Sequence, residues 1–168
     1  MNKNLWQNQD FKLNREYWSK KNPSESLKIR IENLLLINNI LKKSEIFFFL
    51  EGQTLNHIYK KNSLDPKDHD DDIGVFYEDK EKILNLNNIL KKNNFKIIRN
   101  NDQMISVCRM KRYIDICLFK KSILKIGYGK KRFPKKYYTK FNILNFENEE
   151  FNIPHDTDSL LDIRYEEK

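Results

Sequence analysis

Apolar positions along the chain follow two periods, and the order in which they alternate predicts a layered domain. Over residues 24–43, Leu27, Ile31, Leu34, Leu35, Ile37 and Leu41 recur at helical spacing. Asn22-Pro23-Ser24-Glu25 precedes them with an N-cap side chain, a Pro for the first helical position and an acid for the first turn. Residues 45–50 are short and almost wholly apolar, which suits a buried strand better than more helix. Gly52 interrupts that run, residues 54–62 suit a short helix, and Pro66 lies in a polar loop. Residues 73–77 return to a strand pattern, and Asp79 is placed to cap a helix whose buried side carries Ile83, Leu84, Leu86, Ile89 and Leu90. Three strand candidates follow at residues 95–99, 104–110 and 113–119, with reversals at Asn100-Asn101-Asp102 and Lys111-Arg112. Beyond Lys120 the pattern fades through Gly127, Gly129 and Phe133-Pro134. It recovers in a last short helix from Asp156 or Thr157 that carries Leu160, Leu161 and Ile163. This order predicts one α+β sheet domain over residues 23–168, preceded by an N-terminal extension over residues 1–22.

Composition supports a folded chain. At 168 residues it fits one domain, and 39% hydrophobic with 12% aromatic residues supplies a core that a disordered chain would lack. The net charge of +8 is weak evidence by itself, because the chain is rich in Asn, Lys and Ile and has no Ala. An AT-rich genome imposes that bias on any protein. Distribution says more: residues 120–140 hold nine Lys or Arg and no acid, whereas residues 147–168 are acid-rich. Such a local segment points to a phosphate-bearing ligand, with a solvated basic loop as the plain alternative. Cys108 and Cys117 sit in apolar stretches and read as small hydrophobes, not as a disulfide or metal pair. No run approaches the roughly 18 apolar residues of a spanning helix, and the first ten residues are polar. A cytoplasmic protein without a membrane span is therefore expected.

The candidate chemistry lies in Asp70-Asp71-Asp72. Three adjacent carboxylates repel one another and call for a cation. Strand alternation points Asp70 and Asp72 to one face and Asp71 to the other with Ile73 and Val75. Asp70 and Asp72 then form an oxygen clamp for a hard divalent cation, which takes one or two carboxylates plus substrate phosphates. Asp115 is a lone acid within a strand pattern, expensive if unpaired; on a neighbouring strand it joins the site or takes a proton from an attacking hydroxyl. Gly52-Gln53-Thr54 follows a strand and opens a helix, offering N–H groups and a hydroxyl to phosphate. A calcium loop over Asp68, Asp70 and Asp72 fails at Ile73 and Asp79, where Gly and Glu are required. His57, His69 and His155 are isolated. Tyr137-Tyr138 suits either base stacking or core packing, and Arg109 and Arg112 suit either phosphate contact or strand-edge solvation.

The stretch EGQTLNHIYKKNSLDPKDHDDDIGVF resembles the central motif of the LicD and fukutin group of the nucleotidyltransferase-fold superfamily, GGTLLGxxRxxGxxPWDxDxDIG. Gly52, Thr54, Leu55, Pro66, Asp68, Asp70, Asp72, Ile73 and Gly74 fall in register without a gap, and Lys60 takes the motif's Arg position. Tyr113-Ile114-Asp115-Ile116 is similar to the group's third-acid strand, and Phe151 to Pro154, Leu160-Leu161 and Arg164-Tyr165 to its ending. The resemblance implies a nucleotidyltransferase-like mixed β-sheet flanked by helices. It also implies Mg²⁺ or Mn²⁺ held by Asp70, Asp72 and Asp115, phosphate cradled by Gly52, Gln53 and Thr54, and Lys60 neutralising the leaving nucleotide. The implied reaction moves a phosphorylated alcohol, such as phosphocholine or phosphoribitol, from a CDP-linked donor to a glycan hydroxyl. Asn56, His57, Ser63, Lys67 and Glu166 depart from the motif and leave the acceptor and the transferred group open. The alternative within the fold transfers NMP from a nucleoside triphosphate to a protein, nucleotide or RNA. Outside enzymes stands a basic domain that binds polyanions.

Overall fold

A computed structural model describes Tyr17 and residues 22–165, so most of the expected N-terminal extension and Glu166 lie outside the described residues. Helix α1 (Pro23–Lys43) begins where the start signal places it: the Asn22 side chain accepts from the Ser24 N–H at 3.0 Å, and Lys42 and Lys43 complement its C-terminal dipole. Strand β1 (Phe48–Leu50), helix α2 (Gly52–Lys61) and strand β2 (Asp70–Phe76) follow. β2 starts three residues before the apolar pattern does, because its first residues are the aspartates and read as loop.

The single helix expected after Asp79 is two short ones, α3 (Lys80–Asn85) and α4 (Asn87–Lys92), broken at Leu86. Asp79 makes no capping bond and pairs with Lys82 at 2.7 Å instead. Strands β3 (Lys96–Asn100), β4 (Met104–Arg109) and β5 (Arg112–Lys121) form the meander the pattern predicts. Where that pattern fades lie β6 (Lys125–Gly127) and β7 (Phe133–Pro134), and then a separate hairpin, β8 (Phe141–Phe146) and β9 (Glu149–Pro154). Glu147 and Asn148 make its two-residue turn with φ of 52° and 63°. Helix α5 (Thr157–Tyr165) closes the described chain.

The main sheet runs β1-β2-β5-β4-β3, with β6 added to the end of β5 and β7 to β6. β2 and β5 are parallel and every other pair is antiparallel. α1 packs across β5 and β2, and α2 against β2. Alternation puts Ile73, Val75, Ile114, Ile116, Leu118, Ile105 and Val107 on the face that α1 covers, all essentially buried. On the opposite face, aromatic rings take over beyond the acids. Phe49 stands opposite Gly74 in the register, and a Cβ on Gly74 would lie 2.2 Å from the Phe49 ring. Phe49 meets Phe119 at 5.0 Å and Tyr138 at 5.5 Å between ring centres. That wall ends where the carboxylates begin.

Candidate active site

The parallel register sets Asp72 beside Asp115 and Asp70 beside Tyr113. Asp70, Asp72 and Asp115 therefore share one face of adjacent strands, as strand parity requires. Asp71 turns to the other face and is 1% exposed. There Arg30 of α1 grips it with Nε 3.0 Å from Oδ2 and Nη2 2.7 Å from Oδ1. The same guanidinium donates to the main-chain oxygens of Asp65 at 2.5 Å, Asp68 at 3.1 Å and Asp70 at 3.0 Å. One buried arginine thus neutralises one aspartate and fixes the loop that delivers the others. Sequence reasoning missed Arg30, yet a signal was present: residues 30, 34, 37 and 41 share the buried stripe of α1, and one of them is a cation.

Among the described residues no cation grips a front-face carboxylate by both its oxygens. Asp70, Asp72 and Asp115 line a cavity of about 410 Å³ together with Tyr128, Lys130 and Lys131 from the basic segment. Burial, then the charge of Asp115, then Asp68 and Asp71 push the Asp70 carboxyl up to about 7. Burial and the charges of Asp70, Asp115 and Glu51 drive Asp72 well above the ordinary carboxylate range, with Lys131 opposing. Burial also raises Asp115, but Arg99 and Ser106 oppose the shift. The Ser106 hydroxyl donates to Asp115 Oδ1, and Arg99 Nη1 lies 3.4 Å from Oδ2. Among the described residues no group of three His, Cys, Asp or Glu side chains forms a ready-made metal cage. Mg²⁺ does not require one, since it binds through one or two carboxylates and completes its shell with water and substrate phosphate. Hard oxygen donors whose mutual repulsion a divalent cation would relieve fit that ion.

The Gly52 turn is built against this cluster. Glu51 N–H donates to the Asp72 carbonyl at 3.1 Å, and Asp72 N–H donates to Thr54 Oγ1 at 2.8 Å. Gly52 has φ of 59°, and a Cβ there would sit 2.5 Å from Asp72 Oδ2, so only glycine fits the approach. Thr54 is buried and its hydroxyl braces the strand, while Gln53 is exposed and accepts from Asn56 at 3.0 Å. Lys60 is exposed in the last turn of α2, at the opposite end from Gly52, and does not line the cavity. Beneath the turn, fully buried Glu51 accepts from Arg164, which also donates to the Tyr138 hydroxyl at 2.8 Å and packs on the Phe133 ring at 4.0 Å. Glu51 was not singled out in the sequence because one acid before a glycine carries no pattern.

The remaining candidates do not line the acidic cavity. Tyr137 and Tyr138 are core residues. Buried Arg112 donates to the His69 carbonyl at 3.0 Å, and Arg109 exchanges hydrogen bonds with Asn33 at 2.9 and 3.1 Å. His57 lies 3.5 Å from Asp65. The two cysteines form no disulfide, Cys117 being buried and Cys108 half-buried. No described helix is long and apolar enough to cross a membrane.

No family model and no curated protein sequence matches the chain. Among solved structures, it is similar to the lincosamide antibiotic adenylyltransferase LnuA in its lincomycin-bound form, at 15% identity and a TM-score of 0.52, over 77% of this chain and 83% of that one. The likeness is one of fold, and the LicD-type resemblance stays a resemblance of motif. What the chain shares with that transferase is a nucleotidyltransferase-like α+β architecture, a mixed sheet flanked by helices.

Proposed function

We propose that the chain is a divalent-metal-dependent nucleotidyltransferase that moves an NMP group from a nucleoside triphosphate to an acceptor hydroxyl. The observation that carries this reading is the cavity in which Asp70, Asp72 and Asp115 face Lys130 and Lys131. Carboxylates alone would repel a triphosphate, and lysines alone would leave the acids uncompensated. Together they suit a metal-bound polyphosphate. The adenylyl transfer named for LnuA, on a similar fold, supports NMP transfer over the alternatives.

Asp70, Asp72 and Asp115 would hold the Mg²⁺ or Mn²⁺, which would offset charge on the phosphates and on the displaced pyrophosphate. Lys130 and Lys131 receive the polyphosphate from the other wall. The Gly52 turn, which lies against Asp72, would offer the N–H groups of the first turn of α2 to a phosphate. The acceptor oxygen bonds to the α-phosphorus as the bond to pyrophosphate breaks. Its proton passes to Asp115, oriented by Ser106 and Arg99. Positioning and charge neutralisation carry such a reaction, with little covalent chemistry asked of the protein.

A second reading, transfer of a phosphorylated alcohol from a CDP-linked donor to a glycan, is favoured by the ungapped register from Gly52 to Gly74. The two differ in what leaves. Each nucleoside triphosphate, CDP-choline, CDP-ribitol and CDP-glycerol is incubated with Mg²⁺ and candidate acceptors. Pyrophosphate with a nucleotide-labelled product supports the first reading, and CMP with a phospho-alcohol product the second. Neither product from wild-type protein that binds Mg²⁺ and nucleotide rejects both.

A further inference from the structure

We propose that the turn joining β5 to β6 is a membrane-docking tip that seats the protein reversibly on anionic lipid. Ile123 and Leu124 are adjacent there and are 90% and 77% exposed; no other large apolar side chain among the described residues exceeds 55%. Their exposure is built in. The Ser122 N–H and hydroxyl both donate to the Lys125 carbonyl at 2.8 Å, and Lys135 N–H donates to the Leu124 carbonyl at 2.9 Å, so the turn is tied across its neck and to the segment just after β7. Two aliphatic side chains held outward in water are unfavourable unless something apolar receives them. They protrude as a wedge, which suits a soft lipid interface.

Charge selects the same partner. Lys120, Lys121 and Lys125 flank the tip along β5 and β6, Lys135 is hydrogen-bonded to it, and residues 120–140 contain no acid. Lys120 and Lys121 reach Asp102 and Glu78 at 3.7 and 3.4 Å, while Lys125 and Lys135 are exposed beside the tip. A short apolar insertion plus a basic patch is the two-signal arrangement that gives reversible attachment to an anionic leaflet. A single-stranded nucleic acid would be the other polyanion, but it needs exposed rings on which bases stack. The rings of this segment, Tyr128, Phe133, Tyr137 and Tyr138, are between 4% and 8% exposed. The assignment does not depend on the transfer chemistry.

The test floats the full chain with phosphatidylcholine vesicles, with and without phosphatidylserine, at low and physiological salt. Wild-type protein is expected to float with the anionic vesicles only. Ile123→Asp with Leu124→Asp should lower that partition by about tenfold or more with an unchanged melting temperature. Lys125→Glu with Lys135→Glu should weaken it and flatten its salt dependence. Absence of wild-type flotation, or equal flotation of the aspartate pair, overturns the proposal. So does tighter binding to single-stranded RNA that the aspartate pair leaves unchanged, which would assign the basic segment to nucleic acid.

Discussion

On the back of β2, Asp71 is enclosed with a guanidinium that meets both its oxygens, whereas on the front Asp70 and Asp72 face Asp115 across a cavity. All three neighbours of the triplet are the same residue type, so the contrast is one of compensation. The back carboxylate is neutralised by the fold. The front ones crowd one another, so burial and mutual repulsion raise Asp70 and Asp72 above the ordinary carboxylate range, while Arg99 lies 3.4 Å from Asp115. Arg30 meets both oxygens of Asp71, whereas among the described residues the front carboxylates have no bidentate partner of that kind, which supports the proposal that a cation serves them.

The largest effect should come from removing a front carboxylate. Asp72→Asn is expected to lower turnover by about a thousandfold or more, measured as product release with saturating donor and Mg²⁺. It should not lower the melting temperature of the metal-free protein, because it removes a repelling charge. The same change on the back behaves in the opposite way. Arg30→Met strands a buried carboxylate and should cost about 3–5 kcal/mol in urea unfolding. Adding Asp71→Asn should recover part of that loss only, since the carbonyls of Asp65, Asp68 and Asp70 have also lost their donor. Equal melting losses for Asp72→Asn and Arg30→Met would erase the distinction between the faces.

A smaller effect is a pH dependence confined to the front. Asp70 titrates near 7 in the folded chain against 3.8 as the ordinary value. Between these values the folded state holds more protons than the unfolded one. The contribution of Asp70 to metal-free stability is therefore full below about pH 4 and is lost as the pH rises through 7. Added Mg²⁺ should offset that loss, so the gain in melting temperature on adding it should grow over the same window, read by thermal scans in matched buffers. Ser106→Ala should reduce turnover by about tenfold by loosening Asp115, an effect near that of one hydrogen bond to a charged group. Lys60→Ala should leave turnover and Mg²⁺ binding unchanged; a large loss would return Lys60 to the site.

The alternation of apolar residues was enough to read the helix over α1, the strands β1 to β5 and the face each aspartate takes, because those follow from local geometry. Asp115 was legible as a lone acid among strand formers. What local pattern does not contain is which strands become neighbours. The parallel pairing of β2 with β5 brings together residues 43 positions apart, Asp72 and Asp115, and only the register shows it. The same limit hid Arg30, Glu51 and Arg164, whose partners are remote in sequence. The β8–β9 hairpin escaped for a different reason: its buried residues are mainly Phe146, Phe151, Ile153 and Pro154, and Asn and Glu interrupt its apolar positions without a clean alternation.

Arg30 holds the 65–70 loop largely by its backbone: three of its contacts are to carbonyl oxygens, and Pro66 and Lys67 contribute none. A clamp that grips main chain is indifferent to the side chains threaded through it. Replacements of the Lys67 side chain should leave the point where Asp70 and Asp72 emerge unchanged, because Arg30 holds the carbonyls on either side of it. The segment beside the acidic cavity can therefore change its side chains while the backbone that carries Asp70 and Asp72 stays where Arg30 holds it.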